Sequence, residues 1–238
     1  MSTPLWKKKL ACPFCNLEFE TLRLRQGAIR VKEKWTDFGS LYEGYSAYDY
    51  AVTVCPHCLV AARNEEFDKL NPGYEPKLME FSKRARAQAS KPDVFGGEAL
   101  TADQAVKRHD LAIACHKLRA HGEPGELAGL WLHIVWIHRS NGNAEAERKA
   151  LEQAVQAYEL FFEKGSKMPE KLGEPGLVYL IGELYRRLGN YKQARTYFSR
   201  ALSSRELGAY PNVEGLLREQ MLVAKDQMEA AEREKPTT

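Results

Sequence analysis

Two periodicities divide the chain. In its first quarter, apolar and polar positions alternate in short runs: Phe19 to Arg25 and Ala28 to Trp35 read as strands joined at Gln26-Gly27, with Leu22, Leu24, Ile29 and Val31 on one face. On that register the other face gathers Arg23, Arg25, Arg30, Lys32 and Lys34. A third strand is expected over Tyr48 to Val54. From about residue 59 onward the strand pattern gives way to helical spacing. Pro76 opens a helix whose face carries Leu78, Phe81, Ala85 and Ala89, and Lys91-Pro92 closes it. Thr101-Ala-Asp-Gln104 has the form of a capping box and starts a helix running to about His121. Segments 126–141 and 144–164 form one expected helical hairpin about Asn141-Gly142-Asn143, and 175–189 with 191–205 another about Gly189-Asn190. A last helix runs from Pro211 to about Arg233, with Val213, Leu217, Met221, Ala224, Met228 and Ala231 on one stripe; Glu234 to Thr238 reads as a frayed tail.

The second hairpin resembles a tetratricopeptide repeat. Gly182 and Tyr185 in its first helix, and Ala194, Phe198 and Ala201 in its second, occupy that motif's small and large positions. The first hairpin matches less closely: Trp131, Ile134, Gly142, Leu151 and Ala154 fit, while Val135 and Glu147 stand where the motif has small residues. The resulting fold class is mainly α: a small β-rich zinc-ribbon-like region over residues 1–70, a connecting helix and loop over 71–100, and a tetratricopeptide-like solenoid over 101–238 with a capping helix.

Cysteine spacing changes this picture most. Cys12-Pro-Phe-Cys15 and Cys55-Pro-His-Cys58 are paired Cys-x-x-Cys knuckles, the ligand grouping of a closed tetrahedral metal site. Zinc is the leading assignment; a single iron, as in rubredoxin, is the alternative, because four thiolates do not separate the two, and would imply an electron-transfer domain on a helical scaffold. The residue after each knuckle, Asn16 and Leu59, is expected to take a left-handed backbone, cheaply for Asn and at some cost for Leu. His57 reads as a bystander and Cys115 as a core residue on the face of Leu111, Ala114 and Leu118. An odd count of 5 cysteines argues against a disulfide framework and for a reducing compartment.

Composition excludes other classes. Hydrophobic residues make up 44% and charged residues 28%, and no apolar run is long enough to span a bilayer, so a cytoplasmic protein is expected. Lys7 to Lys9 are followed at once by Cys12-Pro13 rather than by the apolar region of a signal peptide. The net charge of +3 is too balanced to imply nucleic acid by itself. No phosphate loop, His-Glu-x-x-His or nucleophile elbow occurs, and His133 and His138, five apart, lie on different helix faces, so an enzyme is not expected.

As a whole the chain resembles a bacterial family of uncharacterised proteins joining an N-terminal Cys-Pro-x-Cys region to tetratricopeptide-like helices. The likeness rests on the two knuckles, on Tyr179 to Gly189 and on Tyr197 to Ala201; at Leu59 this sequence departs from the family's more usual Gly. It implies an architecture and no activity. The leading expectation is a non-enzymatic adaptor that binds a protein or peptide through the concave face of its helices, lined by Trp136, Arg139, Tyr179, Glu183 and Arg186. The alternative is a nucleic-acid-binding zinc ribbon using Arg23, Arg25, Arg30 and Lys32, with the aromatics Trp35, Phe38, Tyr42, Tyr45, Tyr48 and Tyr50 either stacking bases or filling the core.

Overall fold

A computed structural model describes residues 4–88, 90, 92–165 and 172–233. Its elements in order are β1 (Leu5–Ala11), β2 (Glu18–Leu24), β3 (Val31–Lys34), β4 (Ser40–Tyr42), β5 (Val52–Val54), β6 (Ala61–Arg63), α1 (Pro76–Ala87), α2 (Ala102–Leu118), α3 (Pro124–Ser140), α4 (Ala144–Glu163), α5 (Gly173–Arg187), α6 (Tyr191–Leu202) and α7 (Pro211–Arg233). The expected mainly helical architecture with a small antiparallel N-terminal region is present. Ala89, Lys91, much of the loop before α5 and the tail from Glu234 lie outside the described residues.

The strands pair differently from the sequence-based register. β2 pairs with β1, Leu5 opposite Leu24 and Ala11 opposite Glu18, rather than with the run after Gln26-Gly27. β3 pairs with β4 across a bulge between Val31 and Glu33, and β5 pairs with β6. The physical reason lies in burial. β3 is exposed at all four positions, Val31 included, so its alternation has no buried face to set a register. β1 does alternate, but its lysines conceal it. Arg23 meanwhile points inward, at 8% exposure, and the basic face drawn from the expected hairpin does not form.

The chain divides into two compact units, Met1–Lys34 with Ser40–Ala150, and Trp35–Gly39 with Leu151–Thr238, so its boundaries fall elsewhere than near residues 70 and 100. In the first unit, α2 packs on β5, β6 and α3. Its start is the expected capping box: Thr101 Oγ1 accepts from the Gln104 amide at 3.2 Å and Gln104 Oε1 from the Thr101 amide at 3.1 Å. Such a pair is worth about 1 kcal/mol over an uncapped end. Two-stranded ribbons this short are marginal alone, so the helix cover and the knuckles must hold them.

In the second unit α5 packs on α6 and α6 on α7. Gly182 explains the closeness of the first pair: a Cβ there would stand 2.7 Å from the Phe198 ring and 3.2 Å from the Ala194 carbonyl. Phe198, Ala194 and Ala201 are buried together with Val213, Leu217 and Ala224 of α7. Five residues from between β3 and β4 complete this unit. Phe38 lies with its ring 5.5 Å from that of Tyr179, and Phe38 takes a left-handed backbone at φ 67°.

Candidate metal centre

Each knuckle is the connection of a hairpin, the first between β1 and β2 and the second between β5 and β6. The two are built alike. The Asn16 amide donates to the Cys12 carbonyl at 2.8 Å and the Leu59 amide to the Cys55 carbonyl at 2.9 Å. One residue further on the loops close in the same way, with the Cys12 amide donating to Leu17 and the Cys55 amide to Val60. Asn16 and Leu59 both have positive φ, 57° and 59°, as their positions demand. For Leu59 that conformation costs of order 1 kcal/mol, which the closed loop and its burial hold in place.

The four cysteines converge. Cys12 Sγ and Cys58 Sγ are 3.5 Å apart, Cys15 Sγ and Cys55 Sγ 3.7 Å, and all four sulfurs lie within 4.8 Å of one another. A tetrahedron with metal–sulfur bonds of about 2.3 Å has sulfurs about 3.8 Å apart, so the spacing suits one metal ion. All four are buried free thiols. Contacts with Cys55 and Cys58, then burial, hold the Cys12 thiol far above its ordinary range; contacts with Cys12 and Cys55 drive Cys58 the other way. A bound cation would take the place of the thiol protons, since cysteine ligates a metal as the thiolate.

Two further side chains support the second knuckle. Cys115 of α2 accepts from the Ala61 amide at 3.4 Å, lies 3.8 Å from the Leu59 carbonyl, and burial pushes its thiol up to about 12. It is a buried core residue as expected, but the buried face is that of Ala112 and Ile113: Ala114 is exposed and Leu111 and Leu118 are half-buried. The buried Ser82 hydroxyl of α1 lies near Cys58, where it favours the thiolate. A serine on an otherwise ordinary helix face carries no sequence signal for that role. His57 turns its ring to the Glu18 carbonyl, Nε2 to oxygen 3.2 Å, outside the sulfur cluster.

The other candidate residues separate. Trp136 is buried in the first unit with its ring 4.7 Å from that of Tyr48 and 5.6 Å from that of His133, while Arg139 pairs with Glu147 at 2.7 Å. Tyr179, Glu183 and Arg186 do come together, in the second unit, but around the protein's own residues 36–38. Tyr179 donates to the Thr36 carbonyl at 2.7 Å, and Glu183, fully buried, accepts from the Thr36 hydroxyl at 2.5 Å. Arg186 and Arg187 neutralise Glu183 at 2.7 and 2.9 Å, and Arg187 also reaches Asp37 at 3.4 Å. Arg23 donates to Thr53 at 2.7 Å, leaving Arg25 after β2 and Arg30 and Lys32 at β3 as exposed side chains. Tyr48 and Tyr50 are buried, and Tyr42 packs edge-on against Tyr48.

Fold and sulfurs together define a mainly helical protein with a four-cysteine centre able to hold a single tetrahedral metal ion. The chain belongs to the family described as uncharacterized protein conserved in bacteria, DUF2225, whose pattern matches residues 5–224. No curated protein matches it. Among the described residues, no helix is long and apolar enough to cross a membrane.

Proposed function

We propose that the protein is a non-enzymatic scaffold in which a structural zinc ion clamps the two knuckles and the helices α5 to α7 hold an extended peptide. Four thiolates saturate a tetrahedral ion and leave no position for substrate, which favours a structural over a catalytic metal. The peptide reading rests on one observation: residues 36–38 are held as a peptide ligand would be, by a main-chain hydrogen bond from Tyr179, a buried carboxylate on the Thr36 hydroxyl, and the Phe38 ring on Tyr179. Hydrogen bonds to main chain give affinity, and an aromatic anchor beside a buried charge gives selectivity. Tetratricopeptide-like helices present such a surface from the first helix of each pair, and α5 is that helix.

The reading makes the site's occupant the chain's own Thr-Asp-Phe segment, with a partner of similar chemistry as its competitor. Replacing Thr36→Ala and Phe38→Gly together removes the hydroxyl and the ring that anchor the segment and should free the site. A fluorescent peptide carrying residues 33–41 is then expected to bind this variant with saturable anisotropy, wild type to bind it weakly, and the further change Glu183→Gln to abolish the gain. A folded double variant that leaves the peptide unbound would sink the proposal.

A further inference from the structure

The strongest unassigned feature is a cavity of about 240 Å³ in the first unit, lined among others by Lys7, Glu20, Thr21, Gly96, Gly97 and Arg108. That volume is below the range of drug-sized pockets and suits a small ligand. Arg108 is 2% exposed, yet among the described residues it has no carboxylate partner. Its Nη2 donates to the Val52 carbonyl at 2.8 Å and the Thr21 hydroxyl at 3.3 Å, while its Nε has no acceptor. The nearest charge makes matters worse. Arg23, also buried, donates Nη2 to Thr53 and leaves Nη1 without an acceptor.

Burial, and then the neighbouring Arg23, lower the Arg108 pKa to about 10, which leaves its guanidinium charged at neutral pH. Asp68 and Glu65 offset part of the Arg23 charge, whereas Arg108, a buried cation without a carboxylate partner, costs several kcal/mol. Natural interiors place a counter-charge at such a spot. Here the space for it is the cavity. Glu20 does not fill the role, since at the rim it already pairs with Lys7 at 3.4 Å. At Gly97 an added side chain would meet nothing within 4 Å, so the wall opposite is open.

We propose that this cavity binds a tetrahedral oxyanion, a phosphate or phosphoryl group, with Arg108 as its principal ligand. The guanidinium's planar fork of donors matches phosphate oxygens. Thr21, already hydrogen-bonded to Arg108, fixes the direction of that fork. The cavity borders the second knuckle at Val54 and Pro56, but no cysteine lines it.

The test is isothermal titration of the full-length, metal-loaded protein with inorganic phosphate and, separately, with phenyl phosphate, at an ionic strength held constant with chloride. Saturable binding near one equivalent is expected for at least one of the two, weakened by about tenfold or more in Arg108→Met. Phosphate alone binding would identify the free ion as ligand, and phenyl phosphate alone a phosphoryl group on a larger molecule. Because Arg108→Met alters the interior, a second variant, Gly97→Asp, places a carboxylate into open space and should abolish binding without disturbing the fold. Wild type that binds neither ligand, or variants that bind as wild type does, would overturn the proposal.

Discussion

Single residues carry the chemistry here, and those whose role depends on spacing were the readable ones. The four cysteines, and the left-handed Asn16 and Leu59 after them, follow from Cys-x-x-Cys geometry, which is local. Arg108 and Ser82 are different: one supplies a buried charge beside β2 and β5, the other a hydroxyl beside Cys58, and both sit on helices whose sequence looks ordinary. His109 offers a prediction at this scale. It is fully buried, bonded through Nδ1 to the Ala105 carbonyl at 2.8 Å, and burial lowers its pKa to about 4. The neutral ring's contribution is complete above the unfolded pKa of about 6.5 and fades as pH falls toward the folded value; between pH 7 and 5 it shrinks by about 2 kcal/mol. Asp49, pushed up to about 6 by burial, works in the opposite sense over nearly the same window. The stability difference between wild type and His109→Gln isolates the histidine, and urea titrations at pH 7 and 5 should show it narrowing by that amount. An unchanged difference would mean His109 is not buried as a neutral ring.

Among elements, the helices were legible and the strands only half so. Thr101 with Gln104, Pro76, Pro211 and the Gly142 and Gly189 turns mark helix ends chemically, and the observed boundaries follow them. β1 escaped notice because Lys7, Lys8 and Lys9 hide its alternation, and β3 was given the wrong partner because nothing buries either face of it. Pairing was decided instead by the knuckles, which turn β1 into β2 and β5 into β6. The α5–α6 contact tests the packing argument. Gly182→Ala gains about 1 kcal/mol of helix propensity but drives a methyl into the Phe198 ring, an overpacking cost of about 1–3 kcal/mol. A net loss of up to about 2 kcal/mol in denaturant unfolding is expected, with partial recovery when Phe198→Leu is added. A Gly182→Ala protein as stable as wild type would show that the helices have room to part.

For the molecule as a whole, the decisive measurement is metal content, since the four cysteines could hold one ion. Elemental analysis should find about one metal per chain, colourless if zinc and red if iron, and Cys12→Ser or Cys55→Ser should remove it. Chelation is expected to expose the amides of β1, β2, β5 and β6 to hydrogen exchange while those of α5 and α6 keep their protection; full metal content in either variant would discard the site. The division into units was the least legible feature at this scale, since residues 35–39 lie in a stretch of strand-like sequence and belong with helices formed from the last third of the chain.

That arrangement imposes an order on biosynthesis. Thr36 and its acceptor Glu183 are 147 residues apart. At ribosomal speeds of about 5–20 residues per second, roughly 7–30 s pass between the emergence of one and of the other. Throughout that interval Asp37 and Phe38 have none of their α5 partners, and the nascent chain carries an acidic-aromatic tip with nowhere to lodge. A ribosome stalled before residue 173 would display it, and a chaperone or protease that reads unsatisfied aromatics has its opportunity then. Completion of α5 ends it.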